Sequence, residues 1–282
     1  IMSIIDGKRV ASQIKENIVA EVRALKQKTG KTPGLAVVLV GDDHASAVYV
    51  RTKKKTCQNL GFQSFENILP ANTKESTLLG LIDELNKDER VSGILVQLPL
   101  PSHISSYKIL EAINPQKDVD GFHLENIGRL VTGNATFKPC TPEGIIQLLD
   151  HYKVDIEGKN AVVLGRSNIV GKPISLLLLE RNATVTICHS RTKNLSAITK
   201  SADILIAAIG KPNFVTDDMV KDDVVIIDVG INRVNDKLIG DVDYQSVSKK
   251  ASLITPVPGG VGPMTIAVLM ANTLQAFKNL CH

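Results

Sequence analysis

The chain has no tryptophan, only 4% aromatic residues and only four cysteines in 282 positions. With no aromatics interleaved in a basic patch and a net charge of just +4, the pattern of a nucleic-acid binder is missing. Cys57, Cys140, Cys188 and Cys281 lie far apart and include no C-x-x-C pair. That excludes a disulfide framework and a zinc site of the usual spacing, and it suits a reducing compartment. The histidines are scattered without ligand spacing, so no metal is expected. No apolar run approaches the roughly 20 residues of a membrane span, so no membrane partner is expected. The start, Ile1-Met2-Ser3-Ile4-Ile5-Asp6, has no leader pattern, which makes the cytoplasm the expected location. Ile1 ahead of Met2 reads as a remnant of expression.

What is present is 43% hydrophobic and 22% charged, the composition of an ordinary globular enzyme, at a length that allows two domains. Val10, Ile14, Ile18, Val22 and Leu25 form a helical stripe closed by Gly30. Leu35 to Val40 is a continuous apolar run, a buried strand. Ala45 to Leu60 reads as a helix closed by Gly61, Phe62 to Leu69 as a strand, and Leu78 to Asn86 as a helix. Val91 to Leu98 is a strand stopped by Pro99 and Pro101, and Ser106 to Ile113 is a short helix. Asn114 to Thr141 is rich in turn residues and is expected to join the domains. Beyond it, a helix over Pro142 to Tyr152 leads into strands at 161–164, 184–188, 204–209 and 224–229, and Ile266 to Leu280 is the last helix. Strands alternating with helices mean a parallel sheet. The expected fold is α/β, with a three-layer N-terminal domain over 1–120 and a Rossmann-like domain over 121–282. The final helix, about 265–282, is expected to pack back on the first domain.

The run Ala161-Val162-Val163-Leu164-Gly165-Arg166-Ser167-Asn168-Ile169-Val170-Gly171-Lys172-Pro173 is the richest in chemistry. Four apolar residues end at a glycine, and a second glycine precedes another apolar stretch. This is strand, tight turn and helix, which gathers backbone N–H groups where a phosphate can bind. Ser167 stands where the second glycine of a dinucleotide fingerprint would be, so the loop alone is also readable as an ordinary turn. The next strand ends at His189-Ser190-Arg191, without the acid that grips a ribose 2′-OH. A hydroxyl, a cation and Arg166 fit a 2′-phosphate instead, so the loop pair points to NADP rather than NAD.

In the first half, Tyr49 and Lys53 lie four apart on one helix face. A phenol beside an amine can handle protons, and a desolvated lysine can act as a base near neutral pH. Spacing alone favours a blander reading, in which Lys53 opens the solvated run Lys53-Lys54-Lys55. Gln97 is a polar residue inside an apolar strand, where a buried amide needs partners that a ligand or Lys53 could supply. Lys117-Asp118-Val119-Asp120-Gly121 reads either as an Asx-turn or as a carboxylate, Asp120, aimed at a ligand's N–H groups. Thr255-Pro256-Val257-Pro258-Gly259-Gly260-Val261-Gly262-Pro263-Met264-Thr265 reads as a rigid linker or as a surface for a flat ligand, with Thr265 capping the last helix. A cis X–Pro bond fits there or at Leu98-Pro99.

Taken together, these segments resemble the bifunctional methylenetetrahydrofolate dehydrogenase/methenyltetrahydrofolate cyclohydrolase family. The likeness rests on Tyr49-x-x-x-Lys53, the run Gly93 to Pro101, Lys117 to Gly121, Pro139-Cys140-Thr141-Pro142, the loop from Gly165 to Pro173, and Pro256 to Thr265. It spans nearly the whole chain. The resemblance implies hydride transfer from 5,10-methylenetetrahydrofolate to NADP⁺, then hydrolysis of the methenyl product to 10-formyltetrahydrofolate. It implies catalytic roles for Lys53, Tyr49, Gln97 and Asp120, and folate contacts from Tyr49, Lys53, Leu98, Pro99, Asp120, Pro258, Gly259 and Gly260. NADP would be held by Gly165, Arg166, Ser167, Ser190, Arg191 and Ile231, with Thr141 near the nicotinamide. A homodimer of two-domain α/β subunits, with a cleft between the two domains, is implied as well. The alternative within the same fold is a monofunctional NAD-dependent dehydrogenase.

Overall fold

A computed structural model describes residues 3–235 and 237–280. Ile1, Met2 and Cys281 therefore lie outside the described residues. These residues form two compact units, 13–138 with 266–280, and 3–12 with 139–265.

The first unit carries a parallel three-stranded sheet with Gly34–Val40 at its centre, flanked by Gln63–Leu69 and Gly93–Val96. All seven residues of the central strand are buried, as a strand covered on both faces requires. Helix Glu75–Lys87 buries Leu78, Ile82 and Leu85, one stripe at helical spacing. These residues pack with Val38, Val40, Ile94 and Ile109 in the unit's core. Helix His44–Leu60 starts at an Asp43 cap, whose carboxylate accepts from Ser46 N at 2.8 Å. The last helix, Val261–Leu280, contributes residues 266–280 to this unit. There Asn272 Nδ2 donates to Val119 O at 2.9 Å.

The second unit carries a six-stranded sheet in the order Ser3–Ile4, Leu253–Ile254, Val225–Asp228, Ile204–Ala207, Asn160–Leu164, Thr184–Cys188, with every pair parallel. This is the Rossmann-like arrangement. Strands Ile204–Ala207 and Val225–Asp228 are wholly buried.

Several expectations change. The turn-rich stretch 114–141 contains helix Leu124–Val131, and everything up to Lys138 belongs to the first unit. Buried Asp118 accepts from His123 N and Asn126 Nδ2, each at 2.8 Å, which pins that helix's start. The third strand is shorter than 91–98, so Gln97 lies just past its end, although its N–H still donates to Val38 O at 2.8 Å. The last helix begins at Val261, so Thr265 sits inside it and is not its cap; the Thr265 hydroxyl shares a 2.8 Å hydrogen bond with Thr141. Pairings of only two residues, Ser3–Ile4 with Leu253–Ile254, are too short for periodicity to reveal. A cis prolyl bond occurs at each of the two places considered, at Leu98-Pro99 and, within the proline–glycine segment, at Val257-Pro258. Among the described residues, no helix is long and apolar enough to cross a membrane.

Candidate active site

On helix His44–Leu60, Val50, Cys57 and Leu60 are buried at 2%, 0% and 5% exposure. Lys53 falls on that same stripe, three residues after Val50 and four before Cys57, and is only 7% exposed. The solvated reading of Lys53 is therefore wrong: helical spacing turns this lysine inward, while Lys54 pairs outward with Glu66 at 2.6 Å. An amine on a buried stripe needs an acceptor. Gln97 supplies one: Lys53 Nζ donates to Gln97 Oε1 at 2.9 Å. Gln97 Nε2 in turn donates to Leu98 O at 2.8 Å, which fixes which end of the amide faces the lysine. Gln97 stands just past the carboxyl end of parallel strand Gly93–Val96, at the ligand-binding edge of an open α/β sheet.

Tyr49 is half-buried one turn before Lys53, and burial raises its pKa. The phenol thus stays protonated at neutral pH and can donate a hydrogen bond. Cys57, one turn after Lys53, is pushed up to about 12 by burial, so it is an inert thiol in contact with Met270 sulfur at 3.6 Å. The Lys117–Gly121 segment reaches the same strand, because Ile94 N donates to Lys117 O at 2.8 Å. Its residues divide the work. Lys117 Nζ donates to the carbonyls of Leu85, Asn86 and Asp88, closing the end of helix Glu75–Lys87. Asp118 is structural, and its pKa is raised by burial. Asp120 is the half-buried member of the three.

In the second unit, Gly165 has φ 120° and lies against the neighbouring strand's loop. A Cβ there would meet Ala208 O at 2.2 Å, and one at Gly171 would meet Gly165 O at 2.3 Å. Only glycine allows this turn to fold so tightly. Ser167, in the position of the missing glycine, turns its hydroxyl inward and accepts from Val170 N at 3.1 Å and Gly171 N at 3.2 Å. Lys172 N is taken by Ser167 O, and Pro173 has no N–H. The loop thus uses the first N–H groups of helix Gly171–Glu180 on itself. The expectation that this helix start presents free N–H groups is corrected: Arg166 to Ile169 is the exposed part of the loop.

Gly165, Arg166, Ser167, His189 and Ser190 line a pocket of about 330 Å³, together with Lys211 and Phe214. Arg191 is not among its lining residues; its backbone N–H donates to His189 Nδ1 at 3.2 Å. Thr141 is tied to Thr265, and Ile231 is 45% exposed in the loop after strand Val225–Asp228. In the proline–glycine segment, Gly259 O accepts from Lys8 N at 3.1 Å and Gly260 N donates to Pro256 O at 2.8 Å. A glycine-lined cradle, a guanidinium, hydroxyls and, among the described residues, no carboxylate fit a phosphorylated dinucleotide.

The family model for the catalytic domain of tetrahydrofolate dehydrogenase/cyclohydrolase matches residues 5–120, and that for the NAD(P)-binding domain matches 139–281. The chain belongs to the tetrahydrofolate dehydrogenase/cyclohydrolase family. A member from Campylobacter hominis, named bifunctional protein FolD, is 58% identical over 99% of this chain and 98% of its own. The crystal structure of the Campylobacter jejuni bifunctional FolD superposes with a TM-score of 0.97 at 51% identity, covering 99% of both chains. The Trypanosoma brucei family member, solved with NADP and an inhibitor, gives 0.96 at 39% identity, covering 99% of this chain and 98% of that one. Three residues of this family member escaped sequence reasoning: Lys211, Asp228 and Asp241. Lys211 follows the strand Ile204–Ala207, so its place at the carboxyl edge was the available signal. The two aspartates carried no such signal; Asp228 lies inside the strand expected over 224–229.

Proposed function

We propose that Lys53 carries the proton transfers of the second of two successive reactions. As a family member, the chain oxidises 5,10-methylenetetrahydrofolate with NADP⁺ and hydrolyses the methenyl product to 10-formyltetrahydrofolate. NADP⁺, when bound, supplies the hydride acceptor. The oxidation removes no proton, so the protein's part is to bind and orient. We assign the cofactor to Gly165, Arg166, Ser167 and Ser190, with Arg191, Ile231 and Thr141 as further contacts. The folate is assigned to Tyr49, Leu98, Pro99 and Asp120, with Pro258, Gly259 and Gly260. Asp120 accepts from the adjacent N–H groups of the pterin.

Hydrolysis differs, because it moves protons. Water adds to the methenyl carbon and loses a proton, leaving a hydroxyl; as the ring C–N bond breaks, that hydroxyl gives up its proton to become the formyl C=O and the departing nitrogen gains one, so one proton is released overall. A single amine can take the first proton and return the second. Gln97 holds that amine through its carbonyl oxygen, and Tyr49 offers a neutral phenol one turn away. The observation that carries this reading is the 2.9 Å hydrogen bond from a lysine only 7% exposed to an amide at the sheet's ligand-binding edge. Two steps on one carbon call for one site. The test is a progress curve with methylenetetrahydrofolate and NADP⁺. In a bifunctional enzyme the methenyl absorbance rises and then falls as formyl product appears; stoichiometric accumulation of the methenyl form would mean dehydrogenase activity alone. We further propose a homodimer in the cytoplasm. Buried Cys57 and Cys188, free thiols, agree with a reducing compartment, and sedimentation at the monomer mass would overturn the dimer.

A further inference from the structure

We propose that Lys211 recognises the 2′-phosphate of NADP together with Arg166 and Ser190, and that Asp241 is the residue that positions it. This rests on reading the 330 Å³ pocket as the cofactor site. Lys211 and Arg166 enter that pocket from loops after two different strands, Ile204–Ala207 and Asn160–Leu164. Among the described residues no Asp or Glu lines it, so two cations share the space with no such carboxylate to cancel them. A doubly charged phosphate group is the ligand that such an excess suits. The Lys211 ammonium lies 5.6 Å from the centroid of the Phe214 ring, on the same pocket wall. A ring face steadies a cation without neutralising it, so the full charge remains for an incoming anion.

The backbone beneath it is fixed from inside. Asp241 is fully buried, and its carboxylate accepts from three successive N–H groups: Ile209 and Gly210 on Oδ2 at 2.7 and 2.9 Å, and Lys211 on Oδ1 at 2.9 Å. Asn232 Nδ2 adds a fourth bond to Oδ1 at 2.9 Å. Three consecutive donors on one carboxylate set the direction of the loop. Lys211 therefore leaves a fixed point, although its own side chain is exposed.

The experiment is calorimetric binding to the full chain of NADP⁺, NAD⁺, adenosine 2′,5′-bisphosphate and 5′-AMP. Lys211→Met should weaken the two 2′-phosphorylated ligands about tenfold, the scale of one solvent-exposed charged contact. NAD⁺ and 5′-AMP should change less than about twofold, and Lys211→Arg should recover most of the loss. Asp241→Asn should shift the NADP⁺/NAD⁺ ratio in the same direction, a selectivity that a general loss of stability does not produce. Equal weakening of all four ligands, or no weakening, overturns the role of Lys211. Arg166→Met, run in parallel, separates the two levels. If it alone loses selectivity, the pocket reading stands and Lys211 is excluded; if neither variant loses it, the pocket reading falls too.

Discussion

Replacing Asp228 with Asn should change how the stability of the second unit depends on pH. Asp228 is 4% exposed, and its carboxylate accepts from Gly230 N, Asp241 N and Val242 N at 2.9–3.0 Å. Burial, aided by the nearby Asp241, still raises its pKa from 3.8 to about 6. The folded chain therefore holds a proton that the unfolded chain has released between those two values. Stability is greatest below the unfolded pKa and falls as pH rises through the folded one. A shift of 6 − 3.8 = 2.2 units, at about 1.36 kcal/mol each, gives about 3 kcal/mol over the full window. About 2 kcal/mol of that falls between pH 4 and 6. Asn cannot titrate, so the wild type should lose this amount relative to Asp228→Asn across the window, whatever offset the lost hydrogen bonds add. The assay is urea unfolding followed by far-UV circular dichroism at half-unit pH steps, with both proteins in the same buffers. A pH-independent difference, or one in which the wild type gains with rising pH, refutes the reasoning.

Gly165→Ala should cost about 3 kcal/mol or more and abolish tight NADP⁺ binding, because the new Cβ meets Ala208 O at 2.2 Å with φ at 120°; an unchanged unfolding midpoint would contradict this. Lys117→Met should destabilise the first unit by about 2 kcal/mol, because three carbonyls at a helix end lose their donor. Burial lowers the Lys117 pKa, so part of the bond energy is already offset, and a loss below about 0.5 kcal/mol in denaturant unfolding would show that the offset is complete. Arg166→Met should cost about 1.5–3 kcal/mol in kcat/KM for NADP⁺ and far less for NAD⁺; equal losses would remove Arg166 from cofactor selection.

Long periodic segments were legible in the sequence. The Val10–Leu25 stripe, the Leu35–Val40 run and the alternation beyond residue 160 all appear as helices and strands near their expected bounds. What stayed hidden depends on tertiary partners. A strand pair of two residues has no period, and helix Leu124–Val131 lies in a stretch dominated by turn residues. The candidate site was legible by residue type, but its geometry was not. Spacing placed Lys53 beside Tyr49, yet its burial follows from sharing a stripe with Val50 and Cys57. Asp118 and Asp120 look alike in sequence; only the Asn126 and His123 donors make the first a structural group. Ser167 could be read as a flaw in a glycine fingerprint, whereas its hydroxyl closes the loop from inside.

The most direct test supplies methenyltetrahydrofolate itself to Lys53→Met and follows its hydrolysis. Turnover should fall by about 10²–10⁴ relative to wild type while the protein still binds NADP⁺. Hydrolysis at a near-normal rate would contradict the assignment of the proton transfers to this amine.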